Sequence, residues 1–242
     1  MNDSGTNPCS RAFGRLFNKV RPEIWGFIST GIILACVLLS RIGYVGTQGE
    51  PYSFLNHYIS ELGELGVSHL APLFNTGLVL GGLISAVFMI GLGLYINNLA
   101  ARIAMAFGVI SGLACSFVGF LPINNMDTHV VAASCFFFGG MITTAAFTIA
   151  IVMQKEAKIP KLLSVAGVVV MGVFIAFLVN MFTTGLGSEH GLLGVGPDRP
   201  DIWIRAILEW SVFFVIIAWV LLISTFMFIA SRKRHENGDC YT

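Results

Sequence analysis

The sequence predicts an all-α fold: an integral membrane bundle of six transmembrane helices, with a short interfacial helix in the first outer loop. Three observations predict it. Of the 242 residues, 55% are hydrophobic and 11% charged, against roughly 25% charged in ordinary soluble domains. The apolar residues fall into six runs long enough to cross a bilayer. The backbone of each run must satisfy its own polar groups in hydrocarbon, which a helix does and an isolated strand does not.

A basic tail, residues 1–23, carries Arg11, Arg15, Lys19 and Arg21. It resembles the start of a signal peptide, but the apolar run after it is longer than a secretory core and shows no small-residue cleavage site. It is therefore read as a retained helix. The six runs are Ile24 to Gly43, Leu73 to Leu94, Ile103 to Leu121, Val130 to Met153, Leu162 to Phe182 and Ala206 to Ala230. Pro22, Pro72, Pro160 and Pro200 stand just before helix starts, where a missing N–H costs little, and Pro122 follows the end of the third run. Residues 24–231 thus form one membrane domain, followed by a basic tail, 232–242. Gly77 with Gly81, Gly108 with Gly112, and Gly139 with Gly140 suit close helix packing. Cys36, Cys115 and Cys135 lie in apolar runs and Cys9 and Cys240 in the tails, so no disulfide framework is expected.

Lysine and arginine set the orientation, because short basic loops are retained on the cytoplasmic side. The N-tail, Arg102, the trio Lys155, Lys158 and Lys161, and the run Arg232, Lys233 and Arg234 all fall on one side. Both termini are then cytoplasmic and the protein belongs in the cell membrane. Glu50, Glu61, Glu64, Asp127, Glu189, Asp198 and Asp201 face outward, with Arg41, Arg199 and Arg205 as basic exceptions near helix ends. The net charge of +1 gives no reason to expect nucleic acid as a partner.

Polar chemistry concentrates on that outer face. In the first outer loop, Leu55, Tyr58, Ile59 and Leu62 recur at helical spacing, and His57, Glu61 and Glu64 share a stripe with Ser60 beside them. Two readings stand: a solvated face of an amphipathic helix, or a carboxylate and histidine pair directed into a shared pocket. The second outer loop brings Asn124, Asn125, Asp127 and His129 together. Asp127 suits a helix cap, while Asp-x-His spacing also suits a metal. The third outer loop sets Ser188, Glu189 and His190 among glycines, without the lysine of a phosphate loop. Glu209, about a turn into the last span, needs a partner, and Arg205 one turn away is the local candidate. Asn75 and Asn180 fall at the same level, so that the four line one polar cup.

The stretch His57-Tyr-Ile-Ser-Glu-Leu-Gly, followed by Leu73-Phe-Asn75 with Gly77, Gly81 and Gly82, resembles the bacterial and archaeal membrane family called domain of unknown function 998. Gly119-Phe-Leu-Pro122 leading to Asp127 and His129 is similar to that family too. The resemblance implies a multi-pass helical membrane protein without an established activity, and one site containing Ser60, Glu61, Asn75, Asp127 and His129. A looser similarity to membrane-embedded metal hydrolases such as alkaline ceramidases lacks their paired histidines one turn apart and is one helix short.

Three functions fit these residues. The first is an enzyme acting on a lipid or lipid-linked substrate, in whose metal-dependent form His57, His129 and His190 hold zinc, Glu61 or Asp127 is the general base and Ser60 orients the substrate. Glu209 completes this acidic set. The second is a binding or transport protein recognising a polar head group or small solute, with Asn75, Asn180 and Arg205 as substrate-binding residues. The third is an assembly partner for another membrane protein. The sequence alone leaves enzyme and non-enzyme readings open, and the bilayer is the one partner common to all three.

Overall fold

The computed structural model describes residues 21–185 and 199–236. Among them are six helices long and apolar enough to cross a membrane: α1 (Pro22–Ser40), α2 (Ala71–Ile96), α3 (Leu99–Phe120), α4 (Met126–Val152), α5 (Leu163–Gly185) and α6 (Ile204–Glu236). A 3-10 turn, Arg41–Gly43, extends α1, and a second 3-10 helix, Ile59–Gly63, lies in the connection from α1 to α2. The described residues contain no strand, only one antiparallel bridge between Tyr44 and Ser68.

Local chemistry sets the helix ends. Pro22 and Pro72 open α1 and α2 in their first turns, where no N–H is required. Asn97 closes α2 in the left-handed conformation at φ 56°, and Asn98 caps α3 by accepting the Ala101 N–H at 2.8 Å. Those two adjacent asparagines therefore make the whole turn between two membrane helices. Asn125, not Asp127, caps α4 by accepting the Thr128 N–H. Its start is thus drawn forward to Met126, which brings Asp127 and His129 inside the first helical turn instead of the loop. The 33 residues of α6 extend roughly 50 Å, well beyond a hydrocarbon core of about 30 Å.

Each helix packs against its neighbours in the chain, and α6 closes back onto α1. The result is a closed ring of six helices in sequence order. The connections 44–70 and 121–125 lie at one end, with residues 199–203, and 97–98 and 153–162 lie at the other.

Close approach in the ring depends on small residues, because lipid offers no hydrophobic drive for one helix to leave it for another. Gly77 and Gly81 face Cys36 and Ile33 on α1. A Cβ on Gly82 would stand 2.5 Å from the Gly112 carbonyl oxygen and 2.7 Å from the Ser116 nitrogen. The adjoining Ser116 hydroxyl donates to the Val79 carbonyl at 2.9 Å, and Ser111 donates to Phe136 O at 3.0 Å across the α3–α4 contact. At the opposite end, Gln154 donates to the Ile151 and Ile159 carbonyls and accepts the Ile159 N–H, which ties the turn before α5. Two apolar clusters fill the interior. A large one around Phe88, Phe147, Phe174 and Ile223 occupies the far half, and a smaller one around Val37, Leu62, Phe74 and Trp210 lies near the 44–70 loop.

Gly82→Val drives a side chain into opposing backbone that has no flexible tip to yield, so it should cost at least about 1–3 kcal/mol and lower the melting temperature of the detergent-solubilised protein. Gly31, whose Cβ position meets nothing within 4 Å, provides the control. Gly31→Val should melt with the wild type.

Candidate functional site

The segment 44–70 roofs one end of the ring. Its short helix is a 3-10 turn of five buried residues, tighter and shorter than an amphipathic helix lying in the interface. His57 precedes this turn and Glu64 follows it, so His57, Glu61 and Glu64 do not form a solvated stripe. His57 and Glu61 are 2% and 1% exposed.

Glu61 is the centre of the roof. Its Oε1 accepts the Tyr58 N–H at 2.7 Å and Arg199 Nη1 at 2.9 Å; its Oε2 accepts Arg199 Nη2 at 2.8 Å and the Tyr44 hydroxyl at 3.2 Å. Four donors match the roughly four lone-pair positions of a carboxylate, so none remains for a substrate proton. Burial, and then the Glu61 charge, push the Tyr44 phenol far above its usual range, which keeps it a donor. The expected role of general base therefore does not suit Glu61. It clamps the roof to the segment before α6. Arg199 Nη1 also donates to Asn56 O at 2.7 Å, Asn56 Nδ2 donates to Pro200 O at 3.0 Å, and Trp203 N donates to Leu55 O at 2.7 Å. Trp210 Nε1 on α6 reaches Tyr52 Oη and His57 O, each at 3.1 Å. The sequence reading passed over Arg199 as a charge at a helix end. Its signal was a lone guanidinium facing a loop rich in carboxylates.

Beneath this roof, the ring encloses a cavity of about 150 Å³. Ser60 from the 3-10 turn, His129 from the first turns of α4 and Glu209 from α6 line its roof end. The remaining wall is overwhelmingly apolar, with Phe74, Leu78, Phe136, Phe174 and Val212 among its residues. Deeper hydroxyls are occupied: Ser111 donates to Phe136 O, Thr143 to Gly139 O and Thr144 to Gly140 O. Ser85 is a further hydroxyl on the wall, and the Trp219 indole N–H at the deep end has no partner among the described residues.

The roof-end groups differ from these. His129 Nδ1 lies 2.7 Å from the Leu121 carbonyl, and a carbonyl only accepts, so Nδ1 holds the proton and Nε2 of the neutral ring keeps a lone pair. Glu209 Oε2 accepts the Ile59 N–H at 2.9 Å. That partner comes from the roof and not from Arg205 one turn away. Among the described residues no hydrogen bond engages the Ser60 hydroxyl, His129 Nε2 or Glu209 Oε1.

Other expected site residues lie elsewhere. Asp127 is exposed on the first turn of α4. Asn75 donates to Gly63 O at 3.0 Å and fixes the end of the 3-10 turn. Asn180 is half-buried on α5, and Arg205 is buried at the start of α6, where its charge acts on the Tyr58 phenol. Of the expected polar cup, Glu209 alone lines the cavity. His190, with Ser188, Glu189 and Asp198, falls outside the described residues. Among those described, no group of three His, Cys, Asp or Glu side chains is placed to hold a metal ion, and His57 belongs to the roof, with Nε2 3.9 Å from Glu50 Oε1.

Two outcomes follow for the roof. Glu61→Leu or Arg199→Met alone leaves its partner charge buried and should cost about 3–5 kcal/mol in thermal unfolding, whereas the double variant should cost clearly less than the sum. Burial, with the Arg199 charge assisting, holds His57 below the ordinary 6.5 despite opposing pulls from Glu61 and Glu50. The unfolded chain therefore takes up this proton first as pH falls. His57 should contribute no pH dependence above about 6.5 and should reduce stability as pH drops from there through its depressed folded value. Melting curves at pH 5 and 7.5 check this, and His57→Gln should flatten the difference.

No curated protein and no solved structure matches the chain. The family profile described as protein of unknown function (DUF998) matches residues 25–225, which takes in all of α2 to α5, the roof and the cavity. The chain belongs to the DUF998 family.

Proposed function

We propose that this protein binds a lipid or lipid-linked molecule by taking one apolar chain into the ring, with the polar head at Ser60, His129 and Glu209. The observation that carries the proposal is the cavity itself: a mostly apolar bore with a carboxyl, an imidazole and a hydroxyl gathered at its roof end, against the single indole N–H of Trp219 at the far end. Membrane amphiphiles have the same division. A small polar solute would gain nothing from the phenyl and aliphatic walls, which weakens the reading of a solute transporter.

One further observation favours chemistry on the bound molecule. The lone pair on His129 Nε2 shares the cavity with the Ser60 hydroxyl, and a neutral imidazole is the commonest general base. In this second reading, His129 draws a proton from a hydroxyl or water at the head group, and Ser60 orients the head. The basic residues Arg102, Lys155, Lys158 and Lys161 lie at the opposite end from the roof. By the retention of basic loops, we place that end and both termini in the cytoplasm of the cell membrane, with the roof outside.

The test is lipid analysis of protein purified in phosphatidylcholine nanodiscs. Wild type should retain a specific amphiphile from its host. Ala133→Trp, which fills the bore from α4, should reduce it at least fivefold while leaving the melting temperature within a few degrees. Equal retention by both proteins sinks the proposal. For the second reading, incubation with a total lipid extract should release a product that His129→Gln fails to form.

A further inference from the structure

The composition of the cavity defines which head group it takes. Among the described residues, no lysine or arginine lines it. At the roof end, the unengaged polar atoms are the Glu209 Oε1 and His129 Nε2 acceptors and the Ser60 hydroxyl, which both donates and accepts; Ser85 and the Trp219 indole N–H, which has no partner among the described residues, lie deeper and out of reach of a head group there. A phosphate or carboxylate head demands N–H donors or cations. It would meet a single hydroxyl donor and the carboxyl group of Glu209. Of the guanidiniums at this end, Arg199 is already committed to both Glu61 oxygens and the Asn56 carbonyl, and Arg205, at the start of α6, does not line the cavity.

Length and width define the rest. Wall residues on α6 run from Glu209 to Trp219 and on α4 from His129 to Thr144, a depth of roughly 15–22 Å at the helical rise per residue. A volume of about 150 Å³, the size that takes one benzene in an engineered cavity, admits the head-proximal carbons of one chain, the rest threading along that wall as side chains give way, and leaves no room for a second chain abreast. Below the polar end, apolar walls of this kind favour an apolar guest over water.

Resting on the amphiphile reading above, we infer that the ligand is a single-chain amphiphile whose head donates hydrogen bonds, a long-chain amine above all and a long-chain alcohol next, and that anionic heads are rejected. An ammonium at the roof end would meet Glu209 Oε1 and leave one proton each for His129 Nε2 and the Ser60 oxygen. Three donors thus face three acceptors. The charge brought in offsets that of the carboxylate, which makes the pairing better than either group alone in the bundle. The anionic two-chain phospholipids of a membrane fail on both chain number and head, so their abundance does not block the site.

The experiment uses four probes with the same chain: dodecylamine, dodecanol, dodecyl phosphate and dodecanoate. Each is added to the full-length protein in phosphatidylcholine nanodiscs and counted by native mass spectrometry. The Ala133→Trp protein gives the background from bulk bilayer. Dodecylamine should bind at least tenfold more tightly than dodecyl phosphate and dodecanoate, with dodecanol between. Glu209→Gln keeps a carbonyl oxygen for the Ile59 N–H and should remove the advantage of the amine over the alcohol. If dodecyl phosphate or dodecanoate matches the amine, or if the alcohol exceeds it, the head-group assignment is overturned while the cavity reading stands. If none of the four exceeds the Ala133→Trp background, both are overturned.

Discussion

A guanidinium and a carboxylate, both largely out of water, hold the 44–70 segment to the residues that lead into α6. The fork of Arg199 fits Glu61 with two parallel hydrogen bonds, and such pairs are stable only when the remaining lone pairs and protons are also satisfied. Here Tyr44, the Tyr58 amide and the Asn56 carbonyl do so. With that pair formed, the 3-10 turn is fixed, Ser60 is aimed inward, and the Ile59 N–H reaches Glu209. The polar end of the cavity is thus a product of the clamp. His57 and Glu61 thus belong to the structural layer, while Ser60, His129 and Glu209 lie beneath it.

The ring explains why there is a cavity at all. Helices that pack mainly on their chain neighbours, and close last on first, surround a centre that no helix occupies. In water such a void would collapse under the hydrophobic effect. In a bilayer the walls are as comfortable facing lipid as facing one another, so collapse gains only dispersion contacts. Small residues bring α1, α2 and α3 close along one arc of the ring, with Gly82 against Gly112, while bulky Phe74, Phe136 and Phe174 shape the bore.

Spans and family were legible from the residues because hydropathy and helix punctuation act locally: Pro22, Pro72 and the glycine pairs carry their meaning within a turn or two. The site was legible only in part. Ser60, His129 and Glu209 stood out as polar groups beside apolar runs, and the structure brings these three into one cavity. Spacing placed Glu61 with His57 and Glu64 on a helical stripe, yet a 3-10 turn has a different period and this one starts only at Ile59. Arg205 appeared to be the partner of Glu209 because it lies four residues away. The donor actually used is a backbone N–H from 150 positions earlier in the chain, a pairing that no local pattern encodes. Arg199 was missed for the same reason, since its value depends on a carboxylate 138 residues distant.

Ring closure also dictates an order of manufacture. As the chain leaves the ribosome, the first five helices can assemble as an open crescent, each docking on the one before it. The chamber does not exist until α6 arrives, bringing with it Glu209, Trp210 and the arginine that latches the lid. Until then the side of the ring between α5 and α1 stands open to acyl chains, so that the last helix to be inserted converts a row of neighbours into a vessel.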